Sequence, residues 1–488
     1  MSVDRQPVAW SPVFAVAGTL SAVLVAVSGR YGYHRDELYF LRAGKDLAWG
    51  YPDQPPLTPL IARLMDTLAP GSLLALRLPA ALAVGLTVVL TGLLARELGG
   101  GRAAQLLAAA CTAVGAVFVL TGHLHSTTTY DLLAWTALTL LLTRVLRGGD
   151  PRLWLAVGAL AGIGLLNKQL VAFLLLAVAV GALAVGPRDV LRSPWPWAGA
   201  VLALALWTPH LLWQAGAGWP ALEVASSVAD GGSASSEPRA AFLPFQLLLV
   251  SPVLVPIWLA GLHRLWHEPR LRCLALSYPL LAVVFLVSGG KPYYLAGLYP
   301  LLLAAGAAPT IRWLQRSRRR TPLLVSGLAL SAAVSATIGL PVVPVDRLGD
   351  SPVLALNEDA GETVGWPALV RTVAGVHQGI GGESVFLTAN YGEAGAIDRF
   401  GPAAGLPAAY SGHNGYADWG PPAERDLPVV AVGLRREQLD RWFGRCQLAA
   451  RIDNGVGVDN EEQGRPVHVC RERRAEWADL WPQIRRLG

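Results

Sequence analysis

About eleven apolar stretches, most of them near the roughly 20 residues that a helix needs to cross a hydrocarbon core about 30 Å thick, constrain this chain more than anything else in it. They centre near 12–29, 76–95, 103–121, 130–146, 153–167, 169–186, 196–213, 242–262, 273–288, 294–311 and 322–340. No water reaches a backbone N–H or C=O inside a bilayer, so such stretches must bond internally as helices. Asn167 and Lys168 interrupt the run from 153 to 186, which reads either as a short outward turn or as one broken helix. The first stretch has no strongly basic start and leads into a charged loop rather than a small-residue cleavage site, so it is not expected to be a cleaved signal peptide. Of the 488 residues, 53% are hydrophobic and only 15% charged, with mean hydropathy +0.41, against about a quarter charged in soluble domains. This excludes a wholly soluble protein, a disordered chain and a disulfide-stapled scaffold, and leaves an α-helical polytopic membrane protein.

Arginine sets the orientation. It collects in every second loop, at Arg96 and Arg102, at Arg144, Arg147 and Arg152, at Arg188 and Arg192, at Arg264, Arg270 and Arg272, and from Arg312 to Arg320. Basic loops stay cytoplasmic. The N-terminus is therefore expected in the cytoplasm of a multi-pass protein of the cell membrane. The loops 30–75, 122–129, the Asn167–Lys168 turn, 214–241 and 289–293 are expected outside. Loop 30–75 departs from the bias, with Arg30, Arg35, Lys45 and Arg63 among acids. The formal net charge of +6 is read as serving orientation, so no nucleic-acid partner is expected.

An odd number of crossings puts residues 341–488 outside as well, after a membrane domain spanning 1–340. This tail is charged and punctuated by Gly and Pro. It reads as a small extracytoplasmic α/β domain, with strands at 384–388 and 429–432 and an amphipathic stretch at 437–443. Cys111 and Cys273 lie in apolar stretches, whereas Cys446 and Cys470 share an oxidising compartment and are predicted to pair.

Two polar segments of loop 30–75 carry the chemistry: Tyr31 to Phe40, which contains Arg35, Asp36 and Glu37, and Gly50 to Leu57, which contains Asp53 and Gln54. Adjacent carboxylates just past a membrane crossing imply a site or a solvated loop. The density of aromatics and prolines argues against simple solvation.

Asp36-Glu37 after the first crossing, with the acidic-x-Pro-Pro-Leu element at Asp53 to Leu57, resembles the protein mannosyltransferase and aminoarabinose lipid A transferase group. This group is the glycosyltransferase family 39 type of the GT-C class, and the resemblance is to its bacterial members. Similar elements follow at Tyr130 to Leu133, Trp213-Gln214, Gly218 to Pro220, Lys291 to Leu295, Tyr299-Pro300, Asn390 to Ala394 and Tyr410 to Asn414. The resemblance implies an inverting transfer of a sugar from a polyprenyl-phosphate carrier to an acceptor outside the membrane. The acceptor is left open among protein, lipid and polysaccharide.

Under that resemblance Asp36 takes the acceptor proton and Glu37 orients it, while Asp131 is a second carboxylate at the site or a helix cap. The departing phosphate needs positive charge, for which Arg35, Lys168 and Lys291 are the candidates. Lysine is rare in this chain, occurring only at Lys45, Lys168 and Lys291. Asp53 contacts the donor or a divalent metal ion, the one cofactor expected. Gln54 stands where the family commonly has Lys, and Tyr39 where it has Arg, so Lys168 or Lys291 is expected to compensate. Tyr293 and Tyr294 join the substrate-binding set. His123 and His125 with Asp131 form a weaker metal candidate, His210 and Glu223 are candidates to line the cavity, and 230–238 has the composition of a lid. A transporter or flippase of lipid-linked sugars is the alternative, and a membrane scaffold with a glycan-binding tail is a third reading.

Overall fold

The computed structural model describes residues 6–231 and 238–488. All the apolar stretches are helical, among them Trp10–Val27, Leu73–Glu97, Thr127–Leu146, Pro194–Gly216 and Arg320–Gly339. Two are broken. Arg102–Val114 and Ala116–His123 meet at 58° around Gly115, and Arg239–Val250 meets Pro252–His267 at 81°. The second break falls where Ser251 adopts φ 81° ahead of Pro252, which has no N–H to continue the helix. Helix Arg320–Gly339 lies against both breaks and satisfies groups that they free. Ser335 donates to the Val114 carbonyl at 2.8 Å, and the Ser331 and Ser251 hydroxyls pair at 2.8 Å.

Among the described residues four helices are long and apolar enough to cross a membrane, or six if each bent pair is one crossing. Leu153–Leu165, Leu170–Val185 and Arg272–Ser288 are shorter apolar helices. The run from 153 to 186 is two helices joined by a turn at Asn167 and Lys168. Asn167 anchors the turn, accepting from the Thr58 hydroxyl at 2.7 Å and donating to the Thr127 carbonyl at 2.8 Å.

The segment 30–75 is not an open loop. It folds into helices Arg35–Lys45 and Leu57–Leu68. The first opens with a capping box, in which the His34 ring accepts from Asp36 N–H and the Glu37 carboxylate accepts from His34 N–H.

Toward the C-terminus, five strands form one mixed sheet: β1 (Val385–Thr388), β2 (Ala409–Ser411), β3 (Val429–Val432), β4 (Phe443–Arg451) and β5 (Pro466–Arg473), in the order β2-β1-β3-β5-β4. β1 runs parallel to β2 and β3, and β5 is antiparallel to β3 and β4. Two of the strands and helix Arg436–Trp442 fall where the sequence predicted regular structure. Cys446 and Cys470 are joined as expected, linking β4 to β5, while Cys111 and Cys273 are buried free thiols.

Helix Tyr391–Phe400 packs on helix Arg35–Lys45. Leu38, Tyr39 and Phe40 share a buried apolar cluster with Trp366, Ala394 and Ile397. The two backbones approach so closely that a Cβ on Gly395 would lie 2.8 Å from the Leu38 Cβ. The sheet region is thereby fixed over the carboxylates that follow the first helix.

Candidate active site

Consecutive residues on a helix project about 100° apart, so Asp36 and Glu37 face different surroundings. Glu37 is completely buried. Its carboxylate accepts two parallel hydrogen bonds from Arg77, Nε and Nη2 each at 2.8 Å, and one each from the backbone N–H of His34 (2.8 Å) and His125 (2.9 Å). Arg77 spends its remaining donors on the carbonyls of Ser28 and Gly32. Burial alone would raise the Glu37 carboxyl, but the charge and hydrogen bonds of Arg77 and the two amides overcome it and hold the group at about 2. With every lone-pair direction in use, Glu37 is a positioning residue that ties the start of this helix to Arg77 and His125, not a group that reaches a reactant. Sequence reasoning missed Arg77, although it is the only charged residue in the stretch 76–95, the kind of intramembrane charge that signals a partner.

Asp36 is half-buried and accepts a 2.8 Å hydrogen bond from the Tyr391 hydroxyl. Tyr391 stacks on Tyr39 with ring centroids 4.8 Å apart. The Tyr39 hydroxyl donates to Asp53 at 2.8 Å and accepts from Gly415 N–H, and Asn414 donates to the second Asp53 oxygen at 3.1 Å. Burial pushes the Asp53 carboxyl up to about 6. Arg35 does not keep its charge for a phosphate: it pairs with Glu461 and Glu362 and lies over the Tyr391 ring, 5.2 Å from its centroid. The role expected for Arg35 as a phosphate ligand is corrected accordingly. Its partners come from the C-terminal region, which no local pattern around residue 35 reveals.

Asp36 is a charged neighbour of both Lys168 and Lys291. Lys168 donates to the Thr128 hydroxyl at 3.0 Å, and its ammonium lies 5.0 Å from the Tyr293 ring centre and 5.4 Å from that of Tyr294. Asp131, Lys291 and Asp36 are its charged neighbours. Burial lowers the ammonium groups of both Lys168 and Lys291, and Asp36 acts on each in the opposite sense. Asp131 is not a cap. Helix Thr127–Leu146 is capped by Ser126, whose hydroxyl accepts from Thr129 N–H. Asp131 sits in the next turn, 4% exposed, with its Oδ1 lacking a hydrogen-bond partner among the described residues. The buried Gln54 amide has neither end paired among them.

Residues 53–213 match the sequence family described as Dolichyl-phosphate-mannose-protein mannosyltransferase. The fold as a whole is similar to that of ArnT from Cupriavidus metallidurans bound to undecaprenyl phosphate, with 16% identity, 93% of this chain and 97% of that chain covered, and a TM-score of 0.60. The apo state of the same protein gives 16% identity, coverage of 94% and 96%, and a TM-score of 0.58. The chain has the fold of ArnT and carries a segment that matches the mannosyltransferase family. No curated protein matches it.

The remaining expectations for this chain divide on geometry. Asp53 is a poor metal ligand in this arrangement, because each of its oxygens already accepts a hydrogen bond and a cation there would have to displace Tyr39 or Asn414. His125 has both ring nitrogens engaged, one with the Thr58 carbonyl at 3.1 Å and one with the Tyr130 hydroxyl at 2.8 Å, and His123 Nε2 faces Arg77 at 3.4 Å. His123, His125 and Asp131 therefore do not assemble as a metal site. His210 faces the Trp49 carbonyl, and Glu223 forms a surface pair with Arg485. Most of the proposed lid, residues 232–237, lies outside the described residues.

Proposed function

We propose that this enzyme moves a sugar from a polyprenyl-phosphate carrier to an acceptor hydroxyl at the extracytoplasmic face, with inversion at the anomeric carbon. The carrying observation is that Asp36, held by the Tyr391 hydroxyl, is a charged neighbour of both half-buried lysines, Lys168 and Lys291, in a chain that has only three lysines. The acceptor oxygen bonds to C1 and its proton passes to Asp36, while the bond from C1 to the phosphate oxygen breaks and its electron pair stays on the phosphate. Lys168 and Lys291 supply positive charge where that negative charge develops. Asp131 holds Lys168 charged despite its burial, and Tyr293 and Tyr294 wall its ammonium.

Undecaprenyl phosphate bound to the similarly folded ArnT supports a carrier of this class. The reading includes eleven crossings within 1–340, a cytoplasmic N-terminus and residues 341–488 as an extracytoplasmic domain. No step is routed through a metal. The test is Asp36→Asn in purified protein supplied with a panel of polyprenyl-phosphate sugars and protein, lipid and polysaccharide acceptors. The variant is expected to bind donor and release no carrier phosphate. Transfer at the wild-type rate would remove Asp36 from the reaction, and unchanged movement of donor lipid across vesicles without transfer would favour the flippase reading.

A further inference from the structure

Toward the C-terminal end of the helical run Pro292–Gln315, which carries Tyr293 near its start, lies a concavity away from Asp36. It is a cavity of about 410 Å³ lined by His263, Arg264, His267, Glu268 and Arg312. A second cavity of about 320 Å³ shares His263 with it and is otherwise walled by apolar groups, including Leu259, Leu262, Trp266 and Pro279. Leu259 is 51% and Trp266 45% exposed.

The charges in the first cavity are not balanced within the protein. Arg264 is repelled by Arg312 and by Arg147, with only Glu268 acting against them. Its guanidinium reaches neutral carbonyls, those of Ala305 and Leu98. Arg312 is exposed and forms no hydrogen bond or ion pair among the described residues. Two arginines against the single carboxylate of Glu268 favour an anion, and the adjoining apolar trough favours a hydrocarbon chain attached to it. This is the loop face where arginine collects, which the orientation under Proposed function places at the inner leaflet.

We propose that these joined cavities bind one anionic phospholipid, its phosphate against Arg264 and Arg312 and an acyl chain along Leu259, Leu262 and Trp266. Basic pockets at the cytoplasmic ends of membrane helices suit anionic headgroups. The site is separate from Asp36, Lys168 and Lys291 and takes part in no chemical step.

Native mass spectrometry of the full chain, titrated with phosphatidylglycerol or phosphatidylcholine, tests the assignment. Wild type is expected to retain one phosphatidylglycerol in preference to phosphatidylcholine. Arg312→Gln breaks no internal bond and is expected to weaken retention roughly fivefold, with a second factor of similar size from Arg264→Gln. Trp266→Ala is expected to weaken it through the chain, while Arg318→Gln, on the same basic face but outside the cavities, is expected to leave it unchanged. Equal retention by Arg312→Gln, an equal loss in Arg318→Gln, or displacement of the lipid by inorganic phosphate alone would each overturn the proposal. The first two would mean diffuse attraction, and the third an anion site that does not read the lipid chain. Loss of donor binding in Asp36→Asn has no bearing on this readout, so the two readings fail independently.

Discussion

Glu37 and Asp36 are neighbours with opposite duties, and what separates them is the company each keeps. Glu37 is paired inside the protein with Arg77, and removing one partner of a buried pair leaves the other charge uncompensated, which costs about 3–5 kcal/mol. Glu37→Gln is therefore expected to lower stability by that order at neutral pH, read by thermal unfolding in detergent. Because the folded carboxyl is held below its ordinary value, its contribution is complete above about 4.5 and fades as the pH falls toward 2. The gap between wild type and variant should accordingly narrow on acidification. Tyr391→Phe removes the hydroxyl that fixes Asp36 without touching the reactant. Hydrogen bonds to charged groups contribute about 1.5–3 kcal/mol, so turnover is expected to fall roughly tenfold or more with donor affinity held, measured as kcat against KM. At this scale the residue types were legible from the chain, but their partners were not. Nothing near residue 36 in the sequence announces a tyrosine 355 positions away.

Elements were legible where hydropathy alone decides them. The apolar stretches, β1, β3 and the helix after β3 all follow from local pattern. The segment 30–75 was misread as a loop because its helices are short and amphipathic, and their apolar faces become visible only once Trp366, Ala394 and Ile397 are there to receive them. The breaks at Gly115 and Ser251 were likewise hidden inside continuous apolar runs. The pairing of β4 with β5 is stapled by Cys446 and Cys470, 24 positions apart. Opening a loop of that length costs about 3 kcal/mol in chain entropy. Replacing both by Ser is expected to destabilise the sheet region by that order. Mass-counted alkylation should find two reactive thiols in denatured, non-reduced protein and four after reduction, and four without reduction would contradict the bond.

For the whole molecule, the decisive feature is that the site is closed by two distant parts of the chain. Tyr391 and Asn414 come down from the sheet region onto Asp36 and Asp53, while Lys168, Lys291, Tyr293 and Tyr294 come from the apolar helices. This arrangement makes sense only if the sheet region and the carboxylates share one side of the membrane. Ala403→Cys in the sheet region and Arg318→Cys in the last basic loop test it. An impermeant thiol reagent applied to sealed cells is expected to label the first and spare the second, and the reverse pattern would place the chemistry in the cytosol.

The chain by itself determined its solvent and set the orientation expected of it. Runs of apolar residues and the placement of arginine are sums over neighbouring positions, and the free energy of transfer into lipid depends on little else. Tertiary structure alone decided which charges meet. Arg35 was drawn off by Glu461 and Glu362, Glu37 was claimed by Arg77, and Lys168 and Lys291 were brought near Asp36. Electrostatic interactions act through space, so the role of a buried ionisable group is set by folded neighbours that its sequence neighbours do not reveal.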